Sequence, residues 1–181
     1  SLQVMPAPYP GVYVGRDYRN LDPTLYPVVG GQETFSWQQL EPQEGHYRWD
    51  LIEHFLQGQA LQAGKRAAIA LTTYNGRIEG GLQVPAWVYD PAQGGDPQAV
   101  INCNGIPIPR YWNAHYLVKY NAFVQALGAR FNGDPRLTWV QIGTGLYGET
   151  QPADDQDDQC MKNAMAADFG FSDPMLLSSQ W

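Results

Sequence analysis

"RAAIALTTY", from Arg66 to Tyr74, is apolar with little alternation. A strand with one face in water alternates apolar and polar residues, whereas a strand covered on both faces by helices reads as a continuous apolar run. The run therefore predicts an inner strand of a parallel sheet. The segments around it have the order such a sheet needs. "GVYVG" (Gly11 to Gly15) predicts a short first strand, and "YPVVGGQETFSW" (Tyr26 to Trp37) carries a second, in which Gly30 and Gly31 mark a bulge or a close backbone approach. "RLTWVQIGTG" (Arg136 to Gly145) is the fourth, with "LYGET" at its C-terminal end.

Helical patterns fill the intervals. Asp50 with Glu53 three residues on forms an Asp version of the capping box, so a helix is expected from there to about Gln62, with Gly64 as its stop. Leu51, Ile52, Phe55, Leu56 and Ala60 form its apolar stripe. A second helix is capped by Asn113, repeats Leu117, Tyr120, Val124, Leu127 and Phe131 at three- and four-residue steps, and ends at "NGDP" (Asn132 to Pro135). Ser172, Asp173 and Pro174 read as the start of another helix. The stretch from Asn75 to Arg110 is long and rich in Gly and Pro, and loops of that length in a compact domain are usually functional or disordered. Trp87, Tyr89, Tyr111 and Trp112 in and beside it favour an ordered surface that binds something.

Composition narrows the classes. The chain has 181 residues, 44% hydrophobic and 16% charged, which suits one globular domain with a real core. A formal charge of −7 argues against a nucleic-acid or anionic-membrane surface, because either would need a basic patch. No apolar stretch approaches the roughly 20 residues of a membrane span. Cys103 and Cys160 are too few for a disulfide scaffold, and no Cys or His pair has zinc-ligand spacing.

Four βα units fit either a small doubly wound sheet or half of a barrel. The loops favour the barrel. Long aromatic and acidic segments follow strands two, three and four, whereas the returns "AGK" and "NGDPR" are short, so the elaboration lies on the face where barrel enzymes build their sites. A complete (β/α)₈ barrel takes about 250 residues, so residues 1–181 read as a single domain, the N-terminal half of a TIM-type barrel that continues past Trp181.

"FSWQQLEPQEGHYRWDLIE" (Phe35 to Glu53) resembles the motif W-x-x-L-E-P-x-E-G-x-Y-x-W/F that follows the second strand of clan A glycoside hydrolases, in particular the bacterial β-galactosidases often found as trimers. From Tyr26 to Glu149 the order of features is similar as well: the motif, a helix, a strand ending near "TTYNG", a "VPAWV" segment, a helix before "GDPRLTWVQIG", and a glutamate at the end of strand four. The resemblance implies a retaining O-glycosidase in which Glu149 is the general acid/base. Those enzymes usually place Asn before that glutamate, and here Gly148 stands there. Their nucleophile lies on a seventh strand with no counterpart in these residues, so none is assigned.

Glycosidic bonds break through an oxocarbenium-like transition state, with one carboxylic acid protonating the leaving oxygen and a second carboxylate on the other side of the sugar. The glycines of "GTGLYGE" would let backbone and sugar approach closely. Aromatic faces stack on pyranose rings, so Trp37, Tyr74, Trp87, Trp112 and Tyr147, with Glu41, are the expected contacts to a neutral oligo- or polysaccharide. Each also has a structural reading: Glu41 and Glu44 as acceptors of backbone N–H groups that fix their loop, the aromatics as core, and Glu149 as a carboxylate tying down a neighbouring loop. "DDQDD" (Asp154 to Asp158) lacks the glycine and distal glutamate of a calcium loop and reads as a solvated acidic turn. His46, His54 and His115 are dispersed. No metal and no cofactor is expected.

Cys103 and Cys160 fall in loops on the same face, so a disulfide between them is expected, and with it a secreted or periplasmic location. A half-barrel would expose strand edges, so the expected partners, besides carbohydrate, are the missing half of the barrel, another chain or a further copy of this one. A non-catalytic carbohydrate-binding protein and a structural protein on a degenerate barrel stay open as alternatives.

Overall fold

A computed structural model describes residues 11–15, 25, 28–58, 65–76, 80–149 and 151–170. In chain order the elements are β1 (Val12–Val14), β2 (Val28–Ser36), α1 (Trp37–Leu40), α2 (Trp49–Gln57), β3 (Arg66–Thr72), α3 (Ala86–Tyr89), β4 (Val100–Cys103), β5 (Ile106–Pro109), α4 (Ala114–Phe131), β6 (Leu137–Gln141) and α5 (Asp158–Phe169). The fold is α/β: four strands form one sheet in the order β1-β2-β3-β6, and each neighbouring pair is parallel. In β2 the slip against β1 falls at Val29 and the close approach to β3 at Gly30. Pairing with β1 slips between Val12 and Tyr13, and a Cβ on Gly30 would lie 1.9 Å from the Arg66 carbonyl oxygen, so only glycine lets β2 and β3 run this close.

Register divides the sheet into two unlike faces. Phe35 pairs with Leu71 and Glu33 with Ile69, while Gln32, Thr34 and Ser36 pair with Ala68, Ala70 and Thr72. Side chains alternate along a strand, so the first set points one way and the second the other. The hydrophobic core joins Phe35, Ala67, Ile69 and Leu71 to Ile52, Phe55 and Leu56 of α2 and to Phe123, Leu127 and Phe131 of α4. Ala68 and Ala70 are buried yet stand outside that cluster. The continuous apolar run thus has a different cause from the one expected: the helical layer lies on one face, and the other carries alanines. Over these small residues the rings of Tyr13 on β1 and Trp139 on β6 meet edge to face at 5.9 Å. Two strands separate β1 from β6, roughly 14 Å of sheet at the usual spacing, so a contact between their side chains requires that face to be concave.

The helices depart from expectation at their starts. α2 begins at Trp49 with Arg48 as its N-cap and no side-chain cap. Asp50 does not cap because Arg48 holds both its oxygens at 2.8 Å, and Glu53 turns outward to Arg136 and Arg130. The capping box belongs instead to α1, where Ser36 Oγ accepts from the Gln39 amide and Gln39 Oε1 accepts from the Ser36 amide. α4 starts at its expected cap, with Asn113 Oδ1 accepting from the Tyr116 amide. Its buried stripe is Tyr116, Tyr120, Phe123, Leu127 and Phe131, and Leu117 is exposed, because the aromatics around Trp37 fix the helix's rotation. Ala60, Gly64 and the helix expected at Ser172 lie outside the described residues.

The stretch after β3 is folded rather than irregular. α3 is followed by short 3₁₀ turns at Pro91–Gln93 and Pro97–Ala99, each capped by an aspartate, and then by the antiparallel hairpin β4–β5. The hairpin turns on Asn104 and Gly105, with φ of 54° and 84°. That is the Asn-Gly pair a two-residue turn of the I′ type demands. Cys103 on β4 is bonded to Cys160 on α5, with Cα atoms 5.8 Å apart, so the hairpin and the last described helix are joined covalently.

Candidate functional site

The motif after β2 packs inward. Trp37 is fully buried, its ring stacked on Phe123 at 5.8 Å and met edge-on by Trp87 and Tyr116. Its indole N–H donates to Glu41 Oε2 at 2.8 Å, and the Gly45 amide donates to Glu41 Oε1 at 2.8 Å. The Trp87 indole N–H donates to the Glu41 carbonyl at 3.0 Å. Burial pushes the Glu41 carboxyl above its ordinary value, and the bond from Trp37 works against that rise. Glu41 thus pins its own loop to the core with every carboxylate oxygen engaged. Glu44 reaches across the surface to Lys119 at 2.5 Å.

The expected aromatic contacts do not converge on a ligand surface. Trp37, Tyr74 and Trp87 are core residues. Trp112 is half-buried, and its indole N–H donates to Asp168 on α5 at 2.7 Å, which ties the end of the hairpin region to that helix. Large flat side chains near strand ends bury more area inward than outward, and sequence alone does not distinguish the two.

A polar cavity of about 460 Å³ lies beside the concave face of the sheet. It is lined by Gln32, Glu33, Thr34 and Ser36 of β2, Gln39 of α1, Thr72 of β3, Asn75 and Gln83 from the segment after β3, Gly15, and Tyr147. Several of these amides are held in place. Gln83 accepts from Gln38 Nε2 at 2.9 Å and donates to the Gly80 carbonyl at 2.8 Å, and Thr72 Oγ1 donates to Asn75 Oδ1 at 2.8 Å. Such a lining offers donors and acceptors of fixed position, while the alternation along β2 turns the Glu33 side chain to the other face of the sheet. The lining suits hydroxyl groups. Of the expected contacts only Tyr147 lines it. The rest of the lining was missed, although the polar residues at every second position of "QETFS" (Gln32, Thr34, Ser36) are the signal of a polar strand face.

Glu149 does not close β6. The strand ends at Gln141, and Glu149 is exposed on a turn further along the chain. Between them the chain bulges: Ala70 pairs with Gln141 and Tyr74 bridges to Leu146, so the β6 side carries one residue more than β3. Glycines make this packing, backbone against backbone. A Cβ on Gly143 would meet the Leu71 carbonyl oxygen at 2.1 Å, and one on Gly148, at φ 81°, would meet the same atom at 2.8 Å. Their place in the fold is therefore main-chain contact with β3 and not room for a sugar. The acidic run is also more structured than a solvated turn: Asp157 is fully buried, Asp158 pairs with Lys162 at 2.5 Å, and Asp154 lies beside Gly76 and Tyr147. Among the described residues no group of three His, Cys, Asp or Glu side chains is placed to hold a metal. No described helix is long and apolar enough to cross a membrane.

No family model matches the chain. No curated protein matches it. Among solved structures it is similar to one described as a GH5_18 from Bifidobacterium longum subsp. infantis, at 13% identity and a TM-score of 0.40, over 76% of this chain. The chain spans 31% of that structure's length.

Proposed function

We propose that the chain is the N-terminal part of a glycoside hydrolase barrel, that the polar cavity holds a neutral sugar, and that Glu149 is the general acid/base. The observation that carries this reading is the concave, polar inner face. Four parallel strands curve far enough for Tyr13 and Trp139 to touch, and hydroxyl and amide side chains follow that face to the C-terminal ends of β2 and β3. Barrel enzymes place their chemistry at those ends. Glycoside hydrolysis needs a second carboxylate opposite the first. In this reading it comes from a further segment of the natural polypeptide, or from another chain that pairs with the β6 edge. The disulfide favours an oxidising compartment outside the cytosol.

The test uses the longest natural polypeptide that contains these residues, assayed on glycosides with poor and with activated leaving groups. Glu149→Gln removes the proton donor, so turnover of the poor-leaving-group substrates should fall by about 10² to 10⁴-fold while activated aryl glycosides lose much less. Full activity of that variant on a poor leaving group would remove Glu149 from the mechanism. The 181-residue chain by itself should turn over neither. A second reading, a carbohydrate-binding protein without catalysis, draws on the exposure of Glu149, its place outside the cavity lining and the Gly148 before it. Sugar binding by the whole polypeptide without turnover would favour it.

A further inference from the structure

Tyr147 is held in a conformation that suits glycine. Its φ is 54°, in the left-handed region where a Cβ crowds the following carbonyl, and it is 44% exposed despite its large ring. The other described non-glycine residue with positive φ is Asn104, and its hairpin turn demands that geometry of a residue type that tolerates it. Tyrosine has no such tolerance. The backbone around it is over-determined: the Tyr147 amide donates to the Tyr74 carbonyl at 2.8 Å, the Leu146 amide to Gln151 at 2.6 Å, and the Glu149 amide to Leu146 at 2.9 Å. Glycine at this position would meet the same constraints with less strain. The turn therefore accounts for the backbone and not for the ring.

The ring's surroundings are what the turn leaves unexplained. Tyr147 lines the polar cavity, and its hydroxyl oxygen would lie 3.1 Å from a Cβ built on Gly76, so a side chain there would crowd it. Strain kept at one residue by its neighbours is found where a side chain must be presented in a set direction. We propose that Tyr147 is a stacking platform for one pyranose ring of a neutral polysaccharide, whose hydroxyls bond to the amides and hydroxyls of Gln32, Thr34, Gln39 and Asn75. The proposal rests on the carbohydrate reading above and gives the strained Tyr147 ring and the polar lining their separate parts in it. The lining holds no lysine, arginine or histidine, so a uronic acid polymer finds no counter-ion there. Neutral polymers need none.

Affinity electrophoresis of the longest natural polypeptide that contains these residues, run in native gels, tests this, with β-1,4-galactan, β-1,4-mannan, mixed-linkage β-glucan or polygalacturonate cast into the gel. At least one neutral polymer should retard the wild type, and polygalacturonate should not. Tyr147→Gly should weaken that retardation at least tenfold while its thermal midpoint stays level or rises, and Tyr147→Phe should keep most of the affinity. A Tyr147→Gly variant that binds as the wild type does, or that melts well below it, would make the ring structural and overturn the platform while leaving the carbohydrate reading in place. A wild-type polypeptide of that full length that folds and is retarded by none of the neutral polymers would overturn both. Retardation by polygalacturonate alone would overturn the ligand class.

Discussion

The two faces of the sheet are built from the same four strands and obey opposite rules. The helix-covered face packs Phe35, Ile69 and Leu71 against α2 and α4, and beyond the strand end Trp37 continues it as the centre of an aromatic cluster. The concave face has alanine on β3 and amides and hydroxyls on β2, with an exposed Thr34 in the middle of the strand. One face is filled to the density of a core, and its residues are replaceable only by residues of like shape. The other has space and hydrogen-bonding groups, so it contributes little to stability and supplies what a polar ligand needs. If the proposed site is right, stability and binding should be separable by mutation, face by face.

The largest effect should come from the packed side. Trp37→Ala removes a fully buried ring and leaves Glu41 without its indole donor, so it should cost about 3–5 kcal/mol and leave little folded protein, as judged by denaturant unfolding. A cost under about 1 kcal/mol would mean that the cluster is not the core. Next comes the covalent tie between the hairpin and α5. Opening the Cys103–Cys160 bond, whose cysteines are 57 residues apart, should lower stability by about 2–4 kcal/mol, read from melting with and without reductant. Two thiols titrating in the denatured, non-reduced chain would remove the tie altogether.

Glu41 sharpens the comparison through pH. Gln in its place keeps one acceptor and turns an amide group toward a donor, so Glu41→Gln should cost about 1–3 kcal/mol near neutral pH. The sign of the pH effect follows from the raised folded-state value. The folded chain holds this proton more tightly than the unfolded one, so Glu41's contribution is full below its ordinary 4.5 and declines as pH rises through the raised value. The wild type's advantage over the variant should therefore shrink from acid toward neutral pH. An advantage that grows over that range would mean the carboxylate is stabilised as an anion. Asp134, held below the usual carboxylate range by its bonds from Arg136, should behave oppositely, its contribution disappearing as pH falls. The smallest effect belongs to the concave face: Thr34→Val should change stability by no more than about 0.5 kcal/mol while weakening retention by a neutral polysaccharide. A large loss of stability there would erase the distinction between the faces.

Local signals in the sequence determined a good deal. The run at Arg66 to Tyr74 marked an inner strand, Asn113 marked the start of α4 and "NGDP" its end, because each depends on a few adjacent residues and their intrinsic backbone preferences. The Asn104-Gly105 turn is equally legible, an Asn-Gly pair between two short apolar runs. Tertiary structure alone decided what depends on partners distant in the chain. Asp50 looks like a cap until Arg48 engages it, Leu117 looks buried until Trp37 sets the rotation of α4, and Trp37, Tyr74 and Trp87 look like a binding platform until the core takes them. The site shows the same division: "QETFS" carries the polar alternation, but which way that face curves depends on β1 and β6 closing toward each other over Gly30 and Ala68, a contact between residues far apart in the chain that no local pattern records.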